Sequence, residues 1–263
     1  MKRRDFIAAS CLAGLAPLGK AAMAADTSKE KEYYELRLYK IASAEKRTAM
    51  DEFFAKAAIP AWNRVGIKPV GVFEFIKEED NEEDNFDLYV LLPHKTLDSV
   101  ATATASLLAD AAYLKAGADV LGAPKSDPAY ERIESTLMLA FDGIPVLEVP
   151  SKKDTRIFQL RTYEAHSVER GQKKIEMFNE GGELSLFRRT GMPPVFFGET
   201  LVGTKVPNLT YMLGFDDEEA KMKGWAAFLA HPEWDKLKKN PEYKDTVCNI
   251  TNIMLRPAAC SQI

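Results

Sequence analysis

FQLRTYEAHSVERG, residues 158–171, repeats a pattern already used in YELRLYKIASAEKR, residues 34–47. Phe158, Leu160, Arg161 and Tyr163 stand where Tyr34, Leu36, Arg37 and Tyr39 stand, each pair 124 positions apart (158 less 34). Apolar residues alternate in both copies, the period of a strand. In the first copy Tyr34, Leu36 and Leu38 share one face, while Glu35, Arg37 and Tyr39 share the other. The second copy divides Phe158 and Leu160 from Gln159, Arg161 and Tyr163 in the same way. A strand written twice in 263 residues points to a duplicated unit.

The repeat extends outward from these strands. Ser43 and Ser167 follow them as helix N-caps. Met50, Phe53, Phe54, Ala57, Ala61 and Val65 then recur at helical spacing, and Ile175, Phe178 and Leu186 form a weaker stripe in the second copy. Pro60 and the Gly181-Gly182 pair should bend or break these helices, and Gly66 and Gly191 should end them. Two strands are expected next in each copy, over 70–76 and 86–92, then 195–202 and 209–215. The acidic run KEEDNEEDN between Ile76 and Phe86 reads as a solvated hairpin tip, because no glycine stands where a calcium loop turns. Helices over 101–114 and 218–229 and closing strands over 135–141 and 250–256 complete each copy.

The order is β-α-β-β-α-β twice, an α+β arrangement of two tandem ferredoxin-like units. Helices cover one face of such a sheet, so the bare faces are expected to pack sheet to sheet, as an intramolecular dimeric α/β barrel. The units span residues 32–141 and 156–259, joined by a Pro- and Lys-bearing linker over 142–155. The apolar face of each first strand is expected beneath the helices. Glu35, Arg37 and Tyr39, with their second-copy counterparts, would then face the space between the sheets. Cys248 and Cys260 flank the last strand, which should hold them too far apart for a disulfide.

Residues 1–24 read as a secretory signal: a basic start, a short apolar run over 7–18, and Ala22-Met23-Ala24 as a cleavage site. Arg3, Arg4 and Phe6 resemble a twin-arginine export signal, which places the mature chain in the periplasm or another extracytoplasmic space. Loss of Lys2, Arg3, Arg4, Lys20 and Asp5 would move the formal charge from −4 to −7. An acidic chain without a basic tract is a poor partner for nucleic acid. No further run is long and apolar enough to span a bilayer, so no stable membrane insertion is expected after signal removal. A homo-oligomer is compatible with the sequence.

Together, the tandem arrangement, the YELRLY and FQLRTY strands and FLAHPEW at 228–234 resemble the NIPSNAP family. Gln159 to Tyr163, Gly191-Met192, Trp225 and the His231 to Trp234 block carry most of the resemblance, so the second unit fits best. Where FLAHPEW would stand, the first unit has LLADAAY, residues 107–113. The resemblance implies a dimeric α/β barrel fold and no defined reaction.

Candidate chemistry is sparse. His94, His166 and His231 stand apart, with no paired-ligand spacing, so no metal site is expected. A haem would have only an isolated His231 or His166 to hold it, and no cofactor is expected. No catalytic residue is assigned, although His231 is a candidate acid or base. Its other reading is structural: Pro232 and Glu233 suit a helix start, with Trp234 packing down. The ligand-binding candidates are Arg37, Tyr39, Arg161, Tyr163, His231 and Trp234, since Arg offers a fork of donors and Tyr a hydroxyl. The same arginines could instead pair with Glu35 and Gln159 to fasten the sheets.

Three functions fit these residues. One is a binder of a small anionic or aromatic molecule between the sheets, with Arg37 and Arg161 acting as a near-symmetric pair. Another is a cofactor-free oxygenase, isomerase or lyase of the dimeric α/β barrel type. The third is a non-catalytic scaffold for another exported protein.

Overall fold

The computed structural model describes residues 30–76 and 84–263. The export signal read in residues 1–24, and most of the acidic run after Ile76, lie outside the described residues. Strand β1 (Tyr33–Lys40) leads into α1 (Ala44–Phe53), a π-helical turn (Phe54–Ala58) and α2 (Ile59–Arg64). Strands β2 (Gly71–Phe75) and β3 (Leu88–His94) follow, then α3 (Leu97–Leu108), α4 (Ala111–Ala116), α5 (Ala118–Leu121) and β4 (Arg132–Ala140). The second half runs β5 (Ile157–Glu164), α6 (Val168–Asn179), α7 (Glu183–Arg189), β6 (Pro194–Val202), β7 (Asn208–Phe215), α8 (Glu218–Leu229), α9 (Pro232–Leu237) and β8 (Asn249–Pro257).

Local chemistry sets these boundaries. Ser43 and Ser167 accept hydrogen bonds from the Lys46 and Arg170 amides, each satisfying an otherwise free helix N–H. The first helix passes through its π-turn just before Pro60, whose missing N–H is tolerated at the start of α2. Gly182 takes a φ of 84°, a left-handed conformation that separates α6 from α7. The helix expected over 101–114 is two helices, because the Asp110 carboxylate caps α4 through the Ala112 and Tyr113 amides. Cys248 and Cys260 flank β8 as free thiols.

All eight strands form one closed antiparallel barrel in the order β1-β3-β2-β8-β5-β7-β6-β4. The molecule is thus a mixed α/β fold. The sequence reading expected the halves to stack sheet to sheet as two layers, and they do not. They join edge to edge, through β2 with β8 (Glu74 opposite Arg256) and β4 with β6 (Leu139 opposite Glu199). Closure pairs edge N–H and C=O groups that two stacked sheets would leave open.

The facing of β1 and β5 is the reverse of the expectation. Tyr34, Leu36, Phe158 and Leu160 join Phe73, Leu91, Met138, Phe196, Met212 and Leu255 in a cluster drawn from all eight strands, which is the barrel interior. Tyr39 instead packs with Met50, Phe54, Trp62 and Leu107 beneath the first helical layer, and Tyr163 with Phe178, Phe187 and Phe228 beneath the second. The reason is space and charge. An eight-strand interior has just enough room for side chains to fill it, and a guanidinium shut in there would cost several kcal/mol. On the outer face the Arg37–Glu35 pair borders an open cavity, so the arginine face turns outward.

Phe158 is fully buried in the barrel, its ring 4.9 Å from Phe73. Phe158→Ala should therefore lower unfolding stability by about 3–5 kcal/mol, with an unchanged urea m value. A loss below about 1 kcal/mol would contradict a close-packed interior.

Candidate functional site

Glu35, Arg37 and Tyr39 project from β1 toward α1–α5, where the helices leave a cavity of about 210 Å³. Its walls include Arg37, Tyr39, Trp62, Tyr113 and Tyr130, with Leu108 and Leu121 exposed at the mouth. Arg37 donates from Nε and Nη2 to the two Glu35 oxygens, both at 2.8 Å. Glu35 also accepts the Ser135 hydroxyl at 2.8 Å, and His94 Nε2 stands 3.7 Å away. His94 is held in turn by Ser99 Oγ at 3.0 Å from Nδ1. The guanidinium is thus fixed from behind, with the Tyr39 hydroxyl against it, and it lies 5.9 Å above the Trp62 ring.

Burial works to raise the Glu35 carboxyl, but His94, the Arg37 fork and the Ser135 hydroxyl outweigh it and hold the group down at about 2. Burial pushes the Tyr39 hydroxyl up, and pushes Tyr113 up to about 12, helped by Tyr39 and Tyr130 nearby. At neutral pH Tyr39 and Tyr113 are therefore neutral donors, not phenolate bases.

The second half builds the same arrangement and closes it. The Arg161 guanidinium is covered by Trp225 at 5.0 Å and lies 5.4 Å from the Tyr163 ring. Trp225 Nε1 donates to Gln159 Oε1 at 2.7 Å, and Gln159 Nε2 donates to Asn252 at 2.8 Å. Deeper in, Tyr211 donates to the Tyr163 hydroxyl at 2.9 Å, and Lys174 pairs with Glu183 at 2.6 Å, both nearly inaccessible. Burial raises the Glu183 carboxyl against the opposing pull of Lys174. Arg37 and Arg161 are therefore not a symmetric pair about one space. They occupy separate places outside the barrel, Arg37 beside an open cavity and Arg161 under the Trp225 ring.

His231 caps α9, its Nδ1 accepting the Glu233 amide at 3.2 Å, and Trp234 packs on Phe228 at 4.6 Å. Neither is a wall of the Arg37 cavity. His166 is exposed, and His94 is buried behind Glu35. Among the described residues no cluster of His, Cys, Asp and Glu could hold a metal ion. The sequence reading overlooked Trp62, Tyr113, Tyr130 and Thr104. Tyr113 was signalled by its place in LLADAAY, where the second half has Trp234.

A second depression, of about 260 Å³, opens at one end of the barrel between Leu38, Tyr89, Thr136, Thr162 and Thr251. Its hydroxyls partly satisfy one another, with Thr162 and Thr210 2.9 Å apart. Lys205 on its rim pairs with Glu164 at 3.4 Å.

Glu35 titrates below its ordinary value of 4.5 in the folded chain, so its contribution is present above about pH 4.5 and is lost as pH falls toward 2. In acid denaturation followed by circular dichroism, Glu35→Gln should flatten this limb by about 3 kcal/mol at most. Identical limbs would contradict the assigned ion pair.

Residues 158–262 match the NIPSNAP family model. A candidate monooxygenase from Fusobacterium nucleatum overlays with a TM-score of 0.56 at 8% identity, over 87% of this chain and 93% of that one. Another, from Lactobacillus acidophilus, gives 0.53 at 10% identity, over 87% and 95%. A NIPSNAP-like domain protein from Burkholderia xenovorans is 20% identical over 40% of this chain and 88% of its own, with a TM-score of 0.36. No curated protein matches the chain. The full-length overlays show a shared α/β barrel fold, and the family match covers the closed copy of the site. The stretch similar to NIPSNAP domains, residues 158–262, runs from Phe158 on β5 past the end of β8.

Proposed function

We propose that this chain binds a small aromatic molecule bearing a hydroxyl, held in the cavity beside Arg37. The observation that carries this reading is an open, ring-walled space whose guanidinium is already neutralised by Glu35. A carboxylate ligand would leave net negative charge in a half-buried site, which is costly. A phenol or quinol would instead stack on Arg37 and Trp62 and share hydrogen bonds with the Tyr39 and Tyr113 hydroxyls. This places the ligand outside the barrel, not between two sheets.

The frame is consistent with two tandem ferredoxin-like units over 32–141 and 156–259, with 142–155 between them. Strand orders β4-β1-β3-β2 and β6-β7-β5-β8 support that reading. So does the recurrence of capped helices after β1 and β5. We also propose that residues 1–24 direct twin-arginine-type export, on the strength of Arg3, Arg4 and Phe6.

A second reading adds oxygen chemistry at the same cavity. It is favoured by the full-length overlay on two candidate monooxygenases. Oxygen uptake on adding a hydroquinone, abolished by Arg37→Ala, would support this over binding alone.

Thermal shift against simple phenols and quinols tests the binding reading. Stabilisation should exceed that given by benzoate, and Tyr113→Phe should weaken binding about fivefold, the loss of one ordinary hydrogen bond. Absence of any shift, or equal weakening by Arg161→Ala and Arg37→Ala, would overturn it.

A further inference from the structure

The closed copy of the site contains an object where the open copy has space. Helices α3 and α8 both run twelve residues and start from side-chain caps, Thr96 and Asp217, that accept from the amide three residues on. Counted from those caps, the buried residues coincide: Ala103 with Gly224, and Leu107 with Phe228. The eighth position is then Thr104 in α3 and Trp225 in α8. Thr104 is a wall of the cavity, whereas the Trp225 ring lies over the guanidinium of Arg161. The difference between a threonine and a tryptophan at one register position removes one indole from beside the β1 arginine, leaving the cavity between Thr104 and the Trp62 ring, which lies 5.9 Å from Arg37. The next helices show the same relation. Asp110 and His231 are both caps, and three residues further Tyr113 stands where Trp234 stands.

We infer that Trp225 is a built-in stand-in for the ligand: the ligand of the open site is a planar system of about two fused rings that takes, over Arg37, the place the indole takes over Arg161. This rests on the binding reading above and narrows it. Size agrees, since an apolar cavity of about 150 Å³ accepts benzene and this one measures about 210 Å³. The edge contact differs. Trp225 donates its ring N–H to Gln159, whereas Glu35, at that position on β1, is taken up by Arg37 and Ser135, faces His94 Nε2 at 3.7 Å and is not a wall of the cavity. The ligand is therefore recognised by its ring system over Arg37.

Calorimetric titration of the full chain with indole tests this. Wild type should bind one indole. Thr104→Trp, which places a side-chain indole in the open copy, should bind none while keeping its circular dichroism. Trp225→Thr should bind two, and N-methylindole should bind wild type about as tightly as indole. A folded Thr104→Trp that binds indole as wild type does would overturn the inference. Should that variant not fold, the count for Trp225→Thr decides: two upholds the inference and one overturns it. Phenol binding without indole binding would sink this inference and leave the binding reading standing, whereas binding of neither would remove both.

Discussion

A guanidinium–carboxylate pair on a mostly buried strand cannot be shut into a filled barrel interior, and in this molecule that constraint fixes which way β1 faces. Glu35, two residues before Arg37 on the same side of the strand, makes the pair a two-point one. Ser135, from the neighbouring strand β4, ties the carboxylate to the barrel wall. Once that face is turned toward the helices, Tyr34 and Leu36 must point inward. The interior then fills with side chains from all eight strands. The cavity beside Arg37 follows from the same choice, because α3 covers this polar strand face with Thr104, a small side chain that leaves a gap.

The two halves solve one packing problem differently. The second is held by internal contacts: Trp225 lies over Arg161, the Phe197 and Tyr211 rings stack 4.5 Å apart, and Lys174 and Glu183 pair in the core. A buried pair of this kind gives little net stability against an apolar replacement but strongly disfavours loss of either partner. The first half has Met50 and Ile59 in its helical core and keeps its opening near α3. The half that matches the NIPSNAP model holds an indole over its arginine, and the other half has a cavity at the corresponding place.

Much of this was legible in the residues. The caps at Ser43 and Ser167, the interruption at Gly181-Gly182 and the terminators Gly66 and Gly191 depend on local chemistry, and the structure uses each of them. The strand alternation of YELRLY was equally clear. Its direction was not, because both faces of the barrel wall are covered, and β3 shows why: Leu88 to Leu92 is buried almost throughout. Period alone separates two faces without saying which one meets helices. The site was half legible. Arg37 and Tyr39 stood out as a repeated pair, but the feature that opens their pocket is a threonine, which carries no signal until its register against Trp225 is known. His231 drew attention as an isolated histidine and is a helix cap.

The claim most exposed to test is that the working space lies outside the barrel and in the first half alone. Crystals soaked with a bromophenol, read by the anomalous signal of bromine, address it directly. A single bromine peak beside Arg37 and Tyr113 is expected. A peak at the barrel mouth near Tyr89 and Thr162, or one beside Arg161, would contradict it.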